Sequence, residues 1–239
     1  MKTDLGAVKA IVFDTFGTVV DWRSSIASDL SAWGVAQNIH ADWAQLADQW
    51  RACYGPQKDR VRQGEIPWTN LDDLHYEALC GLLPKLGLSA LSEDQRRHIN
   101  RVWHRLNPWA DAVAGLARLK RRYILGPLSN GNVALLVNMA KHAGLPWDVI
   151  FSAEHFGHYK PHPQTYLGVC RQLYLNPGEV MLCAAHNYDL RAAGGLGLKT
   201  AFIARPSEYG PNQASDLVAE ADWDIVAADM QDFARQMGV

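Results

Sequence analysis

The sequence lacks any apolar run that approaches the roughly 20 residues needed by a membrane-spanning helix. It also lacks a strong excess of either charge, because 23 Lys and Arg face 25 Asp and Glu, for a net charge of −2. A surface for nucleic acid or for an anionic membrane is therefore not expected, and a small anionic ligand would need positive charge gathered locally. The N-terminus runs straight into an apolar stretch and leaves no room for a signal peptide, so a cytoplasmic protein is expected.

Cysteines are few and show no paired spacing. They lie in apolar surroundings, which predicts buried thiols and not disulfides or zinc ligands. The four are Cys53, Cys80, Cys170 and Cys183. Internal repeats and low-complexity tracts are also missing, so the 239 residues predict one substantial core, with room for a smaller inserted domain.

Two kinds of pattern divide the chain. Residues 11–13 form an apolar run typical of a strand buried on both faces of a parallel sheet. Apolar residues three or four apart then predict a block of helices, after which strand-like runs alternate with helices. We therefore predict an α/β fold, with a Rossmann-like doubly wound parallel sheet from residues 1–20 and 108–239 and a helical cap domain at 21–107. The most linker-like stretch, residues 207–215, is expected to be a surface loop.

Polar side chains follow several of the predicted strands. The four such residues are Asp14, Ser129, Lys160 and Asp189. Because the carboxyl ends of parallel strands meet at one edge of a sheet, these side chains are expected to lie together there. Taken singly, each also has an ordinary explanation, such as a helix cap for Asp14 or Ser129 and a solvated surface position for Lys160.

The motifs around these residues resemble those of the haloacid dehalogenase superfamily. Asp-x-Phe-Gly-Thr-x-x-Asp, beginning at Asp14, is similar to its first motif, whose leading aspartate is a covalent nucleophile, and Leu-Ser-Asn-Gly and Lys-Pro-x-Pro resemble later motifs. Phosphatases of the superfamily carry a second aspartate where this chain has Phe16, which can neither donate a proton nor bind a metal. Ala184 and Ala185 likewise stand where an acidic pair would begin. The chain is thus similar to the L-2-haloacid dehalogenase branch, which uses no metal and no cofactor.

The resemblance implies a role for each matching residue. Asp14 is the expected nucleophile, with Thr18 orienting its carboxylate and Lys160 keeping it ionised. Asp189 is expected to act as base or to position water in a second step, and Arg51 of the cap to receive the departing halide. The groups expected to hold the substrate carboxylate are Ser129, Asn130 and the backbone N–H groups of Thr15 and Phe16.

Several of these positions leave alternatives open. Arg51 is otherwise explained as a solvated side chain or as a partner of Asp48. Tyr166 matches a family tyrosine, through either a hydrogen bond within the site or core packing. His186 replaces an asparagine of the family and is open to three interpretations: a structural histidine, a group that positions water, or a wall of a smaller halide site. Asn187, next to it, is counted among the substrate-binding residues.

By resemblance, the chain is expected to hydrolyse short 2-haloalkanoic acids such as haloacetates through an aspartyl ester, turning an (S)-2-haloacid into an (R)-2-hydroxyacid. Two alternatives stay open: a phosphatase of the same superfamily, which Mg²⁺ dependence would reveal, and a catalytically silent relative that binds a small anion. The preferred halogen and chain length do not follow from the sequence. The tryptophan-rich cap leaves the oligomeric state open, with a homodimer as one option.

Overall fold

A computed structural model describes residues 5–239 of the chain. The first four residues, which the sequence assigns to the core domain, lie outside the described residues. The strands of the described part are β1 (Ala10–Phe13), β2 (Val20–Asp21), β3 (Asn107–Pro108), β4 (Ile124–Ser129), β5 (Phe151–Ser152), β6 (Val180–Ala184), β7 (Lys199–Ile203) and β8 (Ile225–Ala227). Its α-helices are α1 (Trp22–Gln37), α2 (Trp43–Arg62), α3 (Leu71–Leu82), α4 (Glu93–Asn100), α5 (Ala112–Leu119), α6 (Val133–Ala143), α7 (Ala153–Phe156), α8 (Pro163–Leu173), α9 (Asn187–Gly194) and α10 (Met230–Gln236).

Six strands form one parallel sheet in the order β5-β4-β1-β6-β7-β8, which places β1 at its centre. Alternate residues of β1 join two different apolar clusters, so both faces of this strand are buried. Phe13, the last residue of β1, pairs with Pro127 of β4 and Cys183 of β6. The chain that follows β1 therefore emerges between the ends of two neighbouring strands. The predicted α/β class with a parallel sheet is confirmed.

The helices α1 to α4 form an insert that begins and ends at a two-stranded ladder. In it, Val20 pairs with Pro108 and Asp21 with Asn107, so the chain enters and leaves the insert side by side. The sequence does not predict this ladder, because two residues per strand carry no periodicity. The core of the insert is continuous with that of the sheet. The predicted helical insert is confirmed, while its division from the core as a domain stays a prediction.

Indole rings fill much of the space between the insert and the sheet. Trp50 is fully buried, and Trp103 packs edge-on against Phe16 with ring centroids 5.6 Å apart. These tryptophans therefore serve packing inside the chain, and the homodimer stays a prediction. All four cysteines are free thiols, of which Cys170 and Cys183 are buried and the other two are half-buried. Over residues 5–239, none of the helices is both long and apolar enough to cross a bilayer; the cytoplasmic location stays a prediction.

Candidate active site

Three charged side chains meet near the carboxyl end of β1. The Lys160 ammonium donates to Asp14 Oδ1 at 2.8 Å and to Asp189 Oδ2 at 2.5 Å, and all three side chains are buried. Burial raises the pKa of Asp14, but Lys160 and His186 outweigh it and hold that pKa far below its usual value. Burial likewise lowers the pKa of Lys160, and the two carboxylates more than reverse this. Asp14 is therefore an ionised carboxylate held beside a charged amine.

The second oxygen of Asp14 faces two further groups. Thr18 Oγ1 donates to Asp14 Oδ2 at 2.8 Å, and the same hydroxyl oxygen accepts from the Ala185 N–H at 2.9 Å. Since the Ala185 bond occupies a lone pair of Thr18, the hydroxyl proton points to the carboxylate. His186 Nδ1 lies 2.9 Å from the same Asp14 oxygen. The structure thus brings Thr18 and His186 into direct contact with the predicted nucleophile.

Lys160 and Asp189 lie farther along the chain from the strands that precede them than Asp14 does from β1. Asp14 directly follows β1, but Lys160 lies between α7 and α8, and Asp189 lies in the first turn of α9. The Tyr166 hydroxyl, on α8, donates to Asp189 Oδ1 at 2.5 Å. Tyr166 therefore makes a hydrogen bond within the site, which decides between the two alternatives left open for it.

Ser129 and Asn130 support the site at the end of β4. Ser129 is fully buried, and its hydroxyl oxygen accepts from the Gly131 N–H at 3.2 Å, which forms a turn. The N-cap of α6 is Asn132, so Ser129 is not a helix cap. The Asn130 side chain accepts from the Lys160 N–H at 2.8 Å and donates to the Tyr54 hydroxyl at 3.2 Å. Asn130 thus ties the Lys160 loop to helix α2 of the insert.

Thr15 and Phe16 lie just beyond the predicted nucleophile. The Thr15 hydroxyl is buried and has no hydrogen-bond partner among residues 5–239. Phe16 is buried, and its ring contacts Trp103 and Tyr54, with centroids 5.6 and 6.4 Å apart. Where a phosphatase would carry an acid, this chain therefore has a packed aromatic ring.

Asn187 does not join the cluster. Its Nδ2 donates to Asp216 Oδ1 at 2.9 Å and to the Val218 carbonyl at 3.0 Å. Its Oδ1 accepts from the Glu220 N–H and from Trp223 Nε1, both at 3.0 Å. These bonds use both protons and both lone pairs of the amide, so nothing is left for a substrate, contrary to the prediction for Asn187.

Arg51, on α2, faces the same region from the insert. Its guanidinium lies 4.3 Å from the centroid of the Tyr54 ring, and its Nη2 is 3.8 Å from Glu208 Oε1. The alternative partner, Asp48, pairs with Arg23 instead. The Nη1 group of Arg51 is buried and has no hydrogen-bond partner among the described residues. A buried, unpartnered guanidinium N–H is suited to receive an anion.

Glu208 is the charged group of this cluster that the sequence does not single out. It lies in the stretch predicted as a surface loop, yet its side chain is only 1% exposed. Its carboxylate accepts from Trp22 Nε1 at 3.0 Å, and its two oxygens lie 2.9 and 3.1 Å from His186 Nε2. His186 therefore bridges two carboxylates, those of Asp14 and Glu208. No local pattern reveals this, because Glu208 reaches Trp22 across 186 residues of chain.

A cavity of about 800 Å³ adjoins the cluster, and its lining includes Arg51, Tyr54, Lys58, Arg62 and His186. The three basic residues of α2 that line the cavity are seven and four residues apart, so they lie on one face of the helix. This spacing could have indicated Lys58 from the sequence. Burial, and then the neighbouring Arg62, lower the pKa of Lys58 well below its usual value. The local positive charge that a small anionic ligand requires is thus present in this cavity.

Gly17 leaves the space that the Glu208 carboxylate occupies. A Cβ on Gly17 would lie 2.1 Å from this carboxylate, and the glycine has a φ of +83°, which other residues rarely adopt. Gly17→Ala is expected to destabilise the protein by about 2 kcal/mol, measured by urea unfolding.

Gly64→Ala is the matched control, since Gly64 has a φ of +74° but no atom within 4 Å of the added Cβ. This variant carries only the backbone cost, of about 1 kcal/mol. Equal destabilisation by the two substitutions would show that Glu208 gives way freely to the added methyl group.

Fold and site together define a class: an α/β protein whose buried, ionised aspartate follows the central strand and lies near an electropositive cavity beneath a helical insert. A family model described as haloacid dehalogenase-like hydrolase matches residues 8–182. The (S)-2-haloacid dehalogenase 4A of Burkholderia cepacia is 31% identical over 216 residues, which cover 85% of this chain and 87% of that protein. This chain belongs to the haloacid dehalogenase superfamily, in its L-2-haloacid dehalogenase branch.

Solved structures agree with this placement. The L-2-haloacid dehalogenase PA0810 is 55% identical, with a TM-score of 0.94 over 96% of this chain and 98% of that chain. The defluorinating L-2-haloacid dehalogenase Rha0230 is 47% identical, with a TM-score of 0.94 over 97% of this chain and 96% of that chain. The family resemblance carried by the sequence motifs is confirmed.

Proposed function

We propose that this protein hydrolyses the carbon–halogen bond of short (S)-2-haloalkanoic acids through an ester formed on Asp14. The observation that carries the proposal is the buried, ionised Asp14 carboxylate, held by Lys160 near a cavity that gathers positive charge. The names of the relatives at 47% and 55% identity support the substrate class. Residues 21–107 act as a cap domain over the core of residues 1–20 and 108–239, and supply Arg51 to the cavity.

In the first step, an Asp14 oxygen attacks C2 of the substrate from the side opposite the halogen. The C–X bonding electrons leave with the halide, and the configuration at C2 inverts to that of an (R)-2-hydroxyacid. A carboxylate is a weak nucleophile in water, so its burial supplies much of the acceleration. Arg51 Nη1 receives the halide, and the Thr15 hydroxyl and backbone N–H groups hold the substrate carboxylate.

In the second step, water adds to Cγ of the Asp14 ester, and Asp189 takes a proton from that water. The bond between Cγ and the ester oxygen then breaks. The departing alkoxide receives a proton through Lys160, which recovers one from the new carboxylic acid of Asp14. Asp189 then releases to solvent the proton that it took from water, which restores the resting site. The hydroxyacid thus leaves with an oxygen from Asp14, and the oxygen of water stays in the enzyme. The Lys160 ammonium, bonded to both carboxylates, supports this assignment.

The proposal extends to fluoroacetate. The relative at 47% identity is named a defluorinating enzyme. In this chain Arg51 lines the cavity and its buried Nη1 has no hydrogen-bond partner among the described residues, so a cationic donor is available to a departing fluoride, which accepts hydrogen bonds strongly.

The test of the function is halide release in buffer with EDTA, from (S)- and (R)-2-chloropropionate and from fluoroacetate. We expect release from the (S) enantiomer and from fluoroacetate, but not from the (R) enantiomer. A single turnover in ¹⁸O-water with excess enzyme should give unlabelled hydroxyacid, because its oxygen comes from Asp14. Mg²⁺-dependent cleavage of p-nitrophenyl phosphate without halide release would favour the alternative of a phosphatase. Anion binding without any turnover would favour the alternative of a catalytically silent relative.

A further inference from the structure

The two oxygens of Asp14 are not equivalent. Oδ2 faces both the Thr18 hydroxyl and His186 Nδ1, at 2.8 and 2.9 Å, whereas among the side chains of residues 5–239 Oδ1 is bonded to Lys160 alone. A carboxylate oxygen has two lone-pair sites, so both sites of Oδ2 are occupied and one site of Oδ1 is open. Oδ1 is therefore the oxygen with an electron pair free to attack C2.

Both ring nitrogens of His186 face carboxylates. Nδ1 lies 2.9 Å from Asp14 Oδ2, and Nε2 lies 2.9 Å from Glu208 Oε2. An ionised carboxylate only accepts hydrogen bonds, so each ring nitrogen carries a proton and the ring is an imidazolium. Burial lowers the pKa of His186, but Glu208 and Asp14 raise it well above the usual value. The resting site therefore holds a charged donor on the nucleophile.

We propose that Thr18 and the imidazolium of His186 form an oxyanion hole for the Asp14 ester, and that Glu208 is the positioning residue that keeps His186 protonated. This inference rests on the proposed function, because it assigns groups to its second step. It assigns to His186 a catalytic role that goes beyond the interpretations the sequence left open.

The geometry fits the charge that develops in that step. Once Oδ1 is bonded to C2 of the substrate, Oδ2 is the carbonyl oxygen of the ester. As the oxygen of water bonds to Cγ, the electron pair of the carbonyl moves to Oδ2, and it returns when the bond between Cγ and Oδ1 breaks. Two donors at 2.8 and 2.9 Å in a buried site lie within the range that stabilises such an oxyanion.

Glu208 matters most when the ester is present. Asp14 is then neutral, while Lys160 stays charged beside Asp14 and Arg51 lies 3.8 Å from Glu208. The Tyr188 ring is the other titratable group against His186, with centroids 5.9 Å apart. Within the described part of the chain, Glu208 is therefore the remaining carboxylate in contact with the imidazolium, and without its charge the nearby cations would favour loss of the proton.

Glu208→Gln tests this role, because it keeps the size of the side chain and an acceptor for Nε2 while removing the charge. With (S)-2-chloropropionate we expect a burst of one halide per site at close to the wild-type rate, followed by turnover slowed by about tenfold. The Asp14 ester should accumulate and be visible by mass spectrometry of the intact protein. The alkaline limb of kcat should move to lower pH, together with the ¹⁵N NMR titration of His186.

Glu220→Gln makes the same chemical change in an exposed pair with Arg191 and should behave as wild type. His186→Asn removes the charged donor itself, so it should accumulate even more ester, with turnover reduced by about 100-fold. This variant also tests the proposal if Glu208→Gln folds poorly. If Glu208→Gln slows the burst and the turnover equally, accumulates no ester and leaves the alkaline limb of the kcat profile unmoved, the positioning role of Glu208 is overturned. Glu208 would then be a structural residue only. Absence of halide release from the wild type would instead overturn the proposed function.

Discussion

Asp14→Asn is expected to abolish halide release, with a loss of about 10⁴-fold or more. An amide has no anionic oxygen to displace a halide. It also places an NH₂ group where Lys160, Thr18 and His186 all donate hydrogen bonds, so at least one donor is left facing another donor. The measurement is halide release at saturating (S)-2-chloropropionate, with mass spectrometry to show that no ester forms.

The control is Asp94→Asn, the same change at an exposed position of α4, which should release halide at the wild-type rate.

Asp14→Asn should also change how stability depends on pH. The pKa of Asp14 is lowered by folding, so its contribution is present above the unfolded value near 3.8 and is lost as the pH falls through the folded value. Halide release by folded Asp14→Asn within tenfold of wild type would assign the attack to another group.

The parts of the site that the sequence predicts are those set by local patterns. An apolar run that ends at Asp14 indicates a buried strand and its carboxyl end, and helix α6 begins and ends where its apolar spacing and Gly144 indicate. The parts it misses depend on long-range contacts. Glu208 has no periodic signal, and its burial follows from Trp22 and from the empty space at Gly17. Such a contact is visible only when the chain is folded.

His186 and Asn187 show why a motif match alone does not assign a role. The two are neighbours in the sequence, but His186 is the N-cap of α9 and Asn187 its first residue. His186 has extended backbone angles, whereas Asn187 begins the helix, so the two side chains point in different directions. One side chain therefore contacts Asp14, and the other holds Asp216 and Trp223. The sequence places both near the site, and only the direction of the helix separates them.

Lys160→Met is expected to cause the largest loss of stability, about 3–5 kcal/mol, together with at least about 10³-fold slower halide release. The substitution keeps most of the apolar length of the side chain but leaves Asp14 and Asp189 buried without the ammonium that joins them. When one member of a buried ion pair is removed, the other charge stays buried without a partner. The loss in free energy of unfolding is therefore larger than for removal of one member of a surface pair. The free energy of unfolding in urea at pH 8 measures it.

The pH dependence of this deficit follows from the signs of the shifts. In the wild type, the pKa of Lys160 is raised above 10.5 by folding, so its contribution is fully present below that value and is lost only at higher pH. In Lys160→Met, the pKa of Asp14 rises relative to the wild type, because its main cation is gone and only His186 remains to oppose the effect of burial. Asp14 of the variant then takes up a proton on mild acidification. The loss in free energy of unfolding relative to the wild type should therefore shrink by about 1 kcal/mol between pH 8 and pH 5.

Lys9→Met removes the same charge from an exposed pair with Glu179 and should cost less than about 1 kcal/mol, with unchanged halide release. If Lys160→Met loses little free energy of unfolding, and the loss is the same at every pH, then Asp14 and Asp189 are hydrated in solution. In that case the acceleration attributed to desolvation of the Asp14 nucleophile would have to come from Arg51 and the closure of the cap instead, because a hydrated carboxylate attacks C2 slowly.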